Sequence, residues 1–279
     1  MQPEDDHVVV NGLMLHYRAW GDEHAPPVLI LHGLTGHAWE FDALASALAN
    51  EFRVVVLNQR GHGASAGAAH YSPELMMSDI ARVIEALALG RVRLVGHSMG
   101  GVNGWWVAAH YSDRVERLAI IDIDPSVLTS DNAVDMWADA LSAYAAARYP
   151  TREAAVASYL ITRTDNADGE LRQFAINNLT QDEDGQWKWR FDADRLIRWM
   201  EHAATDEEAH WSALQQLQCP TLVVRGGASP FTSTAEAERM VRAIPQARLV
   251  EIPNAGHDVH IDQRSALLEV LNPFLRAPG

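Results

Sequence analysis

The chain has 279 residues, 48% of them hydrophobic, a formal net charge of −15 and a single cysteine. That length and apolar content suffice for one large α/β core carrying an inserted sub-domain, while the acidic balance argues against a nucleic-acid or anionic-membrane partner. The lone Cys219 excludes an intrachain disulfide and reads as a small buried residue at the start of a strand. Residues Met1 to His7 are acidic and lack an apolar h-region, and no apolar run reaches membrane-spanning length, so the expected location is cytoplasmic.

In chain order, Val8–Val10 and Leu13–Trp20 flank Asn11-Gly12, a strong short signal for a hairpin turn. After Pro26-Pro27 the continuous apolar run Val28–Leu31 predicts a strand buried on both faces of a parallel sheet, and it leads directly into His32-Gly33-Leu34-Thr35-Gly36. A helix over Trp39–Ala49 precedes a second such strand, Val54–Leu57, which ends in Asn58-Gln59-Arg60-Gly61-His62-Gly63-Ala64-Ser65. The spacing of Leu75, Met76, Ile80, Val83, Ile84 and Leu87 predicts one apolar stripe on a helix over Pro73–Ala88, with proline in its first turn. Next come the run Val92–Val95, the pentapeptide Gly96-His97-Ser98-Met99-Gly100, a helix-length segment Gly101–Tyr111, and the run Leu118–Pro125 with Asp122 and Asp124.

Strand and helix alternate through this half, which predicts right-handed crossovers and a doubly wound, mostly parallel sheet of the α/β class. Between Ser126 and Trp211 strand-like runs vanish. The alanine-rich segments Ala133–Arg148 and Arg152–Thr162, with polar loops Thr164–Gly169 and Gln181–Gly185, predict an inserted α-helical cap. Its Trp137, Trp187, Trp189, Trp199 and Trp211 suit core packing, and a cap closing over a cleft must also turn some aromatic surface toward it. The sheet resumes at Thr221–Arg225, followed by the loop Gly226–Ser233, a helix over Thr234–Ile244, the strand Arg248–Ile252, the loop Pro253–Asp258 and a helix from Gln263. The expected organisation is a core over 1–125, a cap over 126–212 and the remaining core over 213–279.

Gly-x-Ser-x-Gly between a strand and a helix is the pattern of a nucleophile elbow. Its glycines leave no Cβ to clash where the chain reverses, and the helix after it aims free N–H groups at an oxyanion beside the serine. A serine hydroxyl is a poor nucleophile alone, so it needs a base, an orienting acid and oxyanion donors. The base candidate is His257, after the last strand and therefore on the same sheet rim as Ser98. His32 and His62 sit in glycine turns, where structural hydrogen bonding is the commoner role. His257 and His260 form His-x-x-His, but no carboxylate cluster accompanies them, so no metal ligand is assigned. The oxyanion donors expected are the backbone N–H groups of Leu34 and Met99.

The orienting acid is the unusual part. Where this layout commonly carries it, after the next-to-last strand, the chain reads Gly226-Gly227-Ala228-Ser229, and serine cannot carry the charge that stabilises an imidazolium. Asp122 and Asp124, after the elbow helix, are the replacements on offer. Strand alternation would put both on one face, so spacing does not choose between them. Asp122 lies deeper in the apolar run and is preferred; Asp124 better suits an exposed loop acid.

His-Gly-Leu-Thr-Gly, Gln-Arg-Gly-His-Gly-Ala-Ser, Gly-His-Ser-Met-Gly-Gly and Ala-Gly-His together resemble the α/β-hydrolase superfamily, over almost the whole chain. Ile-Asp-Ile-Asp-Pro after the elbow helix, Val-Arg-Gly-Gly-Ala-Ser in the usual acid position, and Asn103 resemble the branch containing 2-(acetamidomethylene)succinate hydrolase. That resemblance implies Asp122 as the triad acid. Two positions depart from it: Asn58 stands where many relatives carry Asp, and Asp258-Val259-His260 follows His257 in place of an aromatic residue.

The function expected is a cofactor-free serine hydrolase that cleaves a small-molecule ester or amide through an acyl-enzyme. Alternatives on the same residues are hydrolysis of a carbon–carbon bond in a β-diketone-like compound, cofactor-independent oxygenation of a heteroaromatic, and a binding module with vestigial catalysis. Arg148, Arg152, Arg163 and Arg172 are candidate carboxylate binders, with solvated helix faces as their plainer home. A homo-oligomer is left open.

Overall fold

The structure, a computed structural model, describes residues 2–129, 133–161, 169–204 and 206–277. β1 (Glu4–Val10) and β2 (Leu13–Trp20) form the expected hairpin. Its two-residue turn matches the twist of the strands because Asn11 and Gly12 both take positive φ, 51° and 75°. Then come β3 (Pro27–Leu31), α1 (Asp42–Leu48), β4 (Arg53–Leu57), α2 (Pro73–Ala86), β5 (Val92–His97), α3 (Met99–His110) and β6 (Val115–Ile121). A long insertion holds α4 (Pro125–Thr129), α5 (Ala133–Ala146), α6 (Arg152–Ile161), α7 (Gly169–Asn177), the strands β7 (Leu179–Gln181) and β8 (Trp187–Trp189), α8 (Ala193–Ala203) and α9 (Glu207–Gln215). The core closes with β9 (Thr221–Gly226), α10 (Thr234–Ala243), β10 (Ala247–Ile252), α11 (Val259–Asp262) and α12 (Arg264–Arg276).

The main sheet runs in the order β1-β2-β4-β3-β5-β6-β9-β10. β2 is antiparallel to its neighbours, and the strands from β4 to β10 are parallel. The unbroken apolar runs follow from helices covering both faces. One face packs Val28, Ile30, Val54 and Val56 against Leu44 and Leu48 of α1 and Leu267 and Leu271 of α12. The alternate residues Leu29, Leu31, Val55 and Leu94 face Met76, Ile80 and Val83 of α2 and Val102 of α3. Each such side chain, fully buried, contributes roughly 1.5–3 kcal/mol, so the sheet is a rigid platform whose carboxyl-end loops can hold a precise geometry.

Three expectations are corrected. The helix expected from Trp39 begins as a 3-10 turn, Ala38–Phe41, before α1. Leu75 is not part of the buried stripe of α2 but 38% exposed; the helix instead buries Asp79, which pairs with Arg60 at 2.6 Å from the loop after β4. The insertion is not purely helical, since β7 and β8 pair antiparallel. The segment expected as a polar loop from Gln181 is the turn of this hairpin: Asp182 accepts from the N–H groups of Asp184 and Gln186, and Gly185 takes a φ of 75°. The loop expected over 164–169 lies outside the described residues apart from Gly169, which opens α7.

Candidate active site

β5 ends at His97, and Ser98 turns the chain into α3 with φ 51° and ψ −121°. A Cβ on Gly96 would stand 2.2 Å from the Gly100 carbonyl oxygen, and one on Gly100 would stand 2.3 Å from that of Leu31. The reversal therefore admits only glycine on either side of the serine. Such a backbone conformation costs about 1–3 kcal/mol, and its surroundings hold it in place. The Ser98 N–H donates to the Ile121 carbonyl (3.0 Å), and the Ser98 carbonyl accepts from Gly101 (2.7 Å) and Val102 (3.1 Å).

β6 stops one residue before Asp122, which takes a φ of 50°. Asp122 and Asp124 thus both lie beyond the end of β6, where the alternation expected of a strand no longer sets which way they face. Asp122 has a fully buried carboxylate. One oxygen accepts the Gly226 N–H at 2.9 Å, and the other accepts the Ser229 hydroxyl at 2.5 Å and faces His257 Nδ1 at 2.8 Å. Asp124 is not the exposed loop acid its position suggested, being 0% exposed. It accepts the Ser126 N–H (2.8 Å) and hydroxyl (2.5 Å) at the start of α4. Burial pushes its carboxyl above the usual range, against the opposing pull of the Ser126 and Thr232 groups.

Ser229 is the residue that sequence reasoning misses. A serine cannot be the acid, yet from the position where an acid is usual its hydroxyl bonds the Asp122 carboxylate. Phe231, two residues on, donates its N–H to the Ser229 oxygen at 3.2 Å, and its ring lies 4.4 Å from that of His257.

The loop after β3 is tied down from behind. His32 Nδ1 lies 2.8 Å from the Gly33 carbonyl, which also accepts the Gly36 N–H at 3.1 Å, and His62 Nε2 lies 2.6 Å from the Leu34 carbonyl. A peptide N–H points opposite to the carbonyl across its own bond. Fixing the Gly33 carbonyl therefore turns the Leu34 N–H to the other side. Asn103 of α3 donates to Gln59 (2.7 Å), whose own amide donates to the His32 carbonyl (2.9 Å). One chain of hydrogen bonds thus joins the elbow helix, the loop after β4 and the glycine loop. Asn58 accepts the Ala38 N–H and contacts His16 Nδ1 at 2.7 Å, so its departure from Asp falls on loop hydrogen bonding. His97 is buried, its Nε2 2.9 Å from the His257 carbonyl, and burial pushes its imidazole down to about 4.

Ser98, Met99, Leu34 and His257 all line one cavity of about 650 Å³. Trp137, Trp189 and Trp199 of the insertion form part of its wall. Trp187 and Trp211 pack elsewhere, under the guanidinium groups of Arg152 and Arg239. The candidate carboxylate binders are not in this wall: Arg148 pairs with Asp182, Arg152 covers Trp187, Arg172 is exposed, and Arg163 lies outside the described residues. Among the described residues lining the cavity there is no lysine or arginine. No helix among the described residues is long and apolar enough to cross a membrane.

A parallel sheet with a serine elbow and a His–Asp pair at its carboxyl rim is the architecture of a hydrolase. The family model for the alpha/beta hydrolase fold matches residues 26–263, and the chain belongs to that family. Among curated relatives, the mouse sn-1-specific diacylglycerol lipase ABHD11 is 30% identical over 91% of this chain and 82% of its own. The Mycobacterium tuberculosis esterase Rv0045c is 29% identical over 92% of this chain and 84% of its own. Among solved structures, E-2-(acetamidomethylene)succinate hydrolase superposes with a TM-score of 0.89 at 27% identity, covering 99% of this chain and 100% of its own.

Proposed function

We propose that the protein is a serine ester hydrolase working through an acyl-enzyme, with Ser98 as nucleophile, His257 as base and Asp122 as the acid that orients it. The observation that carries the reading is the buried Asp122 carboxylate 2.8 Å from His257 Nδ1, beside a strained serine that shares the same cavity. With Nδ1 held by Asp122, Nε2 is the nitrogen left to take the Ser98 proton and return it to the leaving group. The negative tetrahedral oxygen is received by the Leu34 and Met99 N–H groups. The chemistry of these side chains calls for no cofactor.

Ester rather than amide substrates are favoured by relatives named as lipase and esterase. The aromatic wall without a lysine or arginine among its described residues favours a neutral acyl group, because a carboxylate buried there would meet no counter-charge. A fluorophosphonate probe tests the nucleophile: it should label the wild type at Ser98 and leave Ser98→Ala unlabelled. Turnover of p-nitrophenyl butyrate should exceed that of p-nitrophenyl hydrogen succinate. Labelling at another residue, or no turnover of either ester, sinks the proposal.

A further inference from the structure

Beneath the site, three side chains from three different segments converge. Glu40 comes from the 3-10 turn after the glycine loop, His97 from the end of β5, and His260 from α11. All three side chains are at least nine-tenths buried: His97 is 4% exposed, His260 0% and Glu40 5%. One ligand-capable atom of each lies within 4.8 Å of the others. The His97 and His260 ring centroids are 4.7 Å apart, and His260 Nε2 is 4.0 Å from a Glu40 oxygen.

We propose that Glu40, His97 and His260 form a binding site for a borderline-soft divalent ion such as Zn²⁺, and that filling it inhibits the enzyme. Two imidazoles and one carboxylate are a donor set that zinc takes readily, with a fourth position open to water. The ion is distinct from a cofactor, since none of the three ligands is needed to activate the serine. His257 and His260 in sequence suggested His-x-x-His, and that pairing is not the one the fold assembles. His260 points at Glu40 and His97, while His257 is engaged by Asp122.

Inhibition follows from where the ligands sit. Tetrahedral zinc with bonds of about 2.0–2.2 Å draws its ligand atoms to about 3.4 Å of one another, so the 4.0 Å between His260 Nε2 and the Glu40 oxygen must contract. A glutamate can absorb part of that by rotating. His97 is bonded directly to Ser98 in the chain and its Nε2 lies 2.9 Å from the His257 carbonyl, so drawing its ring toward an ion strains both. Glu40 abuts the glycine loop: a Cβ on Gly36 would stand 2.5 Å from its carboxylate. The ion would therefore bind across the three segments that carry the nucleophile, the base and the oxyanion loop, and displace them relative to one another.

Titration calorimetry of the full chain with ZnCl₂ tests this, alongside ester turnover over the same ion concentrations. The wild type should bind one equivalent and lose kcat. Glu40→Gln and His260→Gln should each weaken binding at least about tenfold, the lower end of what even outer-shell changes cost at metal sites, and His260→Gln should relieve inhibition to match. His257→Ala should bind zinc like the wild type. Binding that survives both ligand variants but vanishes in His257→Ala would place the ion on the base itself and overturn the proposal, as would no binding by the wild type at millimolar zinc. Should His260→Gln fail to fold by circular dichroism, the nearly isosteric Glu40→Gln decides alone.

Discussion

Asp122 is 1% exposed and Asp124 0%, and only Ile123 separates them. One carboxylate is tied to two segments far away in sequence: the Gly226 N–H, the Ser229 hydroxyl and the His257 ring. The other makes its bonds two residues ahead, to Ser126, with Thr232 of the loop after β9 also drawing on it, and it has no bond to the His257 ring. Equal burial thus covers two unlike roles. A carboxylate that holds the imidazole between separate strand ends can orient a base across the sheet rim, whereas one bonded chiefly to Ser126 fixes the start of a helix. The comparison teaches that depth identifies a costly group, and partners identify what the cost supports.

The largest effect should come from Asp122→Asn. The amide keeps the size but loses the charge that stabilises an imidazolium and specifies the tautomer, so kcat should fall by about 10⁴. Measured with a p-nitrophenyl ester at saturating substrate, a loss of that order should leave the melting temperature close to wild type. If Asp124→Asn produced a comparable loss, the distinction between the two residues would disappear.

Ser229→Ala probes the same carboxylate from its other side and should cost less. A hydrogen bond to a charged group contributes about 1.5–3 kcal/mol, so kcat should fall by roughly tenfold or somewhat more. Threonine, which keeps the hydroxyl, should recover most of the loss. The informative readout is the pH profile: with one donor to Asp122 removed, the acid limb of kcat should move, which a merely structural role for Ser229 would not produce. An unmoved limb, or no rescue by Ser229→Thr, would remove Ser229 from the relay.

The core was legible in the sequence because its runs of Val, Ile and Leu have one cause, burial on two faces, and because glycines at 96 and 100 have no substitute where a Cβ would stand well inside van der Waals contact of a backbone oxygen. The serine and histidine were legible because each follows a strand and so reaches one rim. The acid was only half legible. Residue pattern narrowed the proposed acid to Asp122 and Asp124, with depth and resemblance preferring Asp122, but the left-handed residue just past β6 is a tertiary outcome that alternation cannot express. Ser229 and the Glu40–His97–His260 cluster were not legible, since each depends on the facing of side chains from segments distant in the chain. The β7–β8 hairpin was missed because three-residue strands are too short to show a period.

Asp124→Asn gives the smallest effect on catalysis and the sharpest contrast in stability. Burial raises the Asp124 carboxyl above its ordinary 3.8, so the folded chain holds this proton more tightly than the unfolded chain does. The stability it contributes is therefore full below 3.8 and is lost as pH rises through the raised folded value. At neutral pH the ionised group is a burden that an asparagine does not carry, while the amide oxygen can still accept from Ser126 as a helix-capping group. The variant should thus melt higher than wild type at neutral pH, by about 2–4 °C for each kcal/mol relieved, and the two should converge as the pH falls below 3.8. Its kcat should stay near wild type throughout, because Asp124 is held by Ser126 and Thr232 while the His257 ring is held by Asp122. A melting difference of the same size at acid and neutral pH would show that the substitution acts through packing and not through charge.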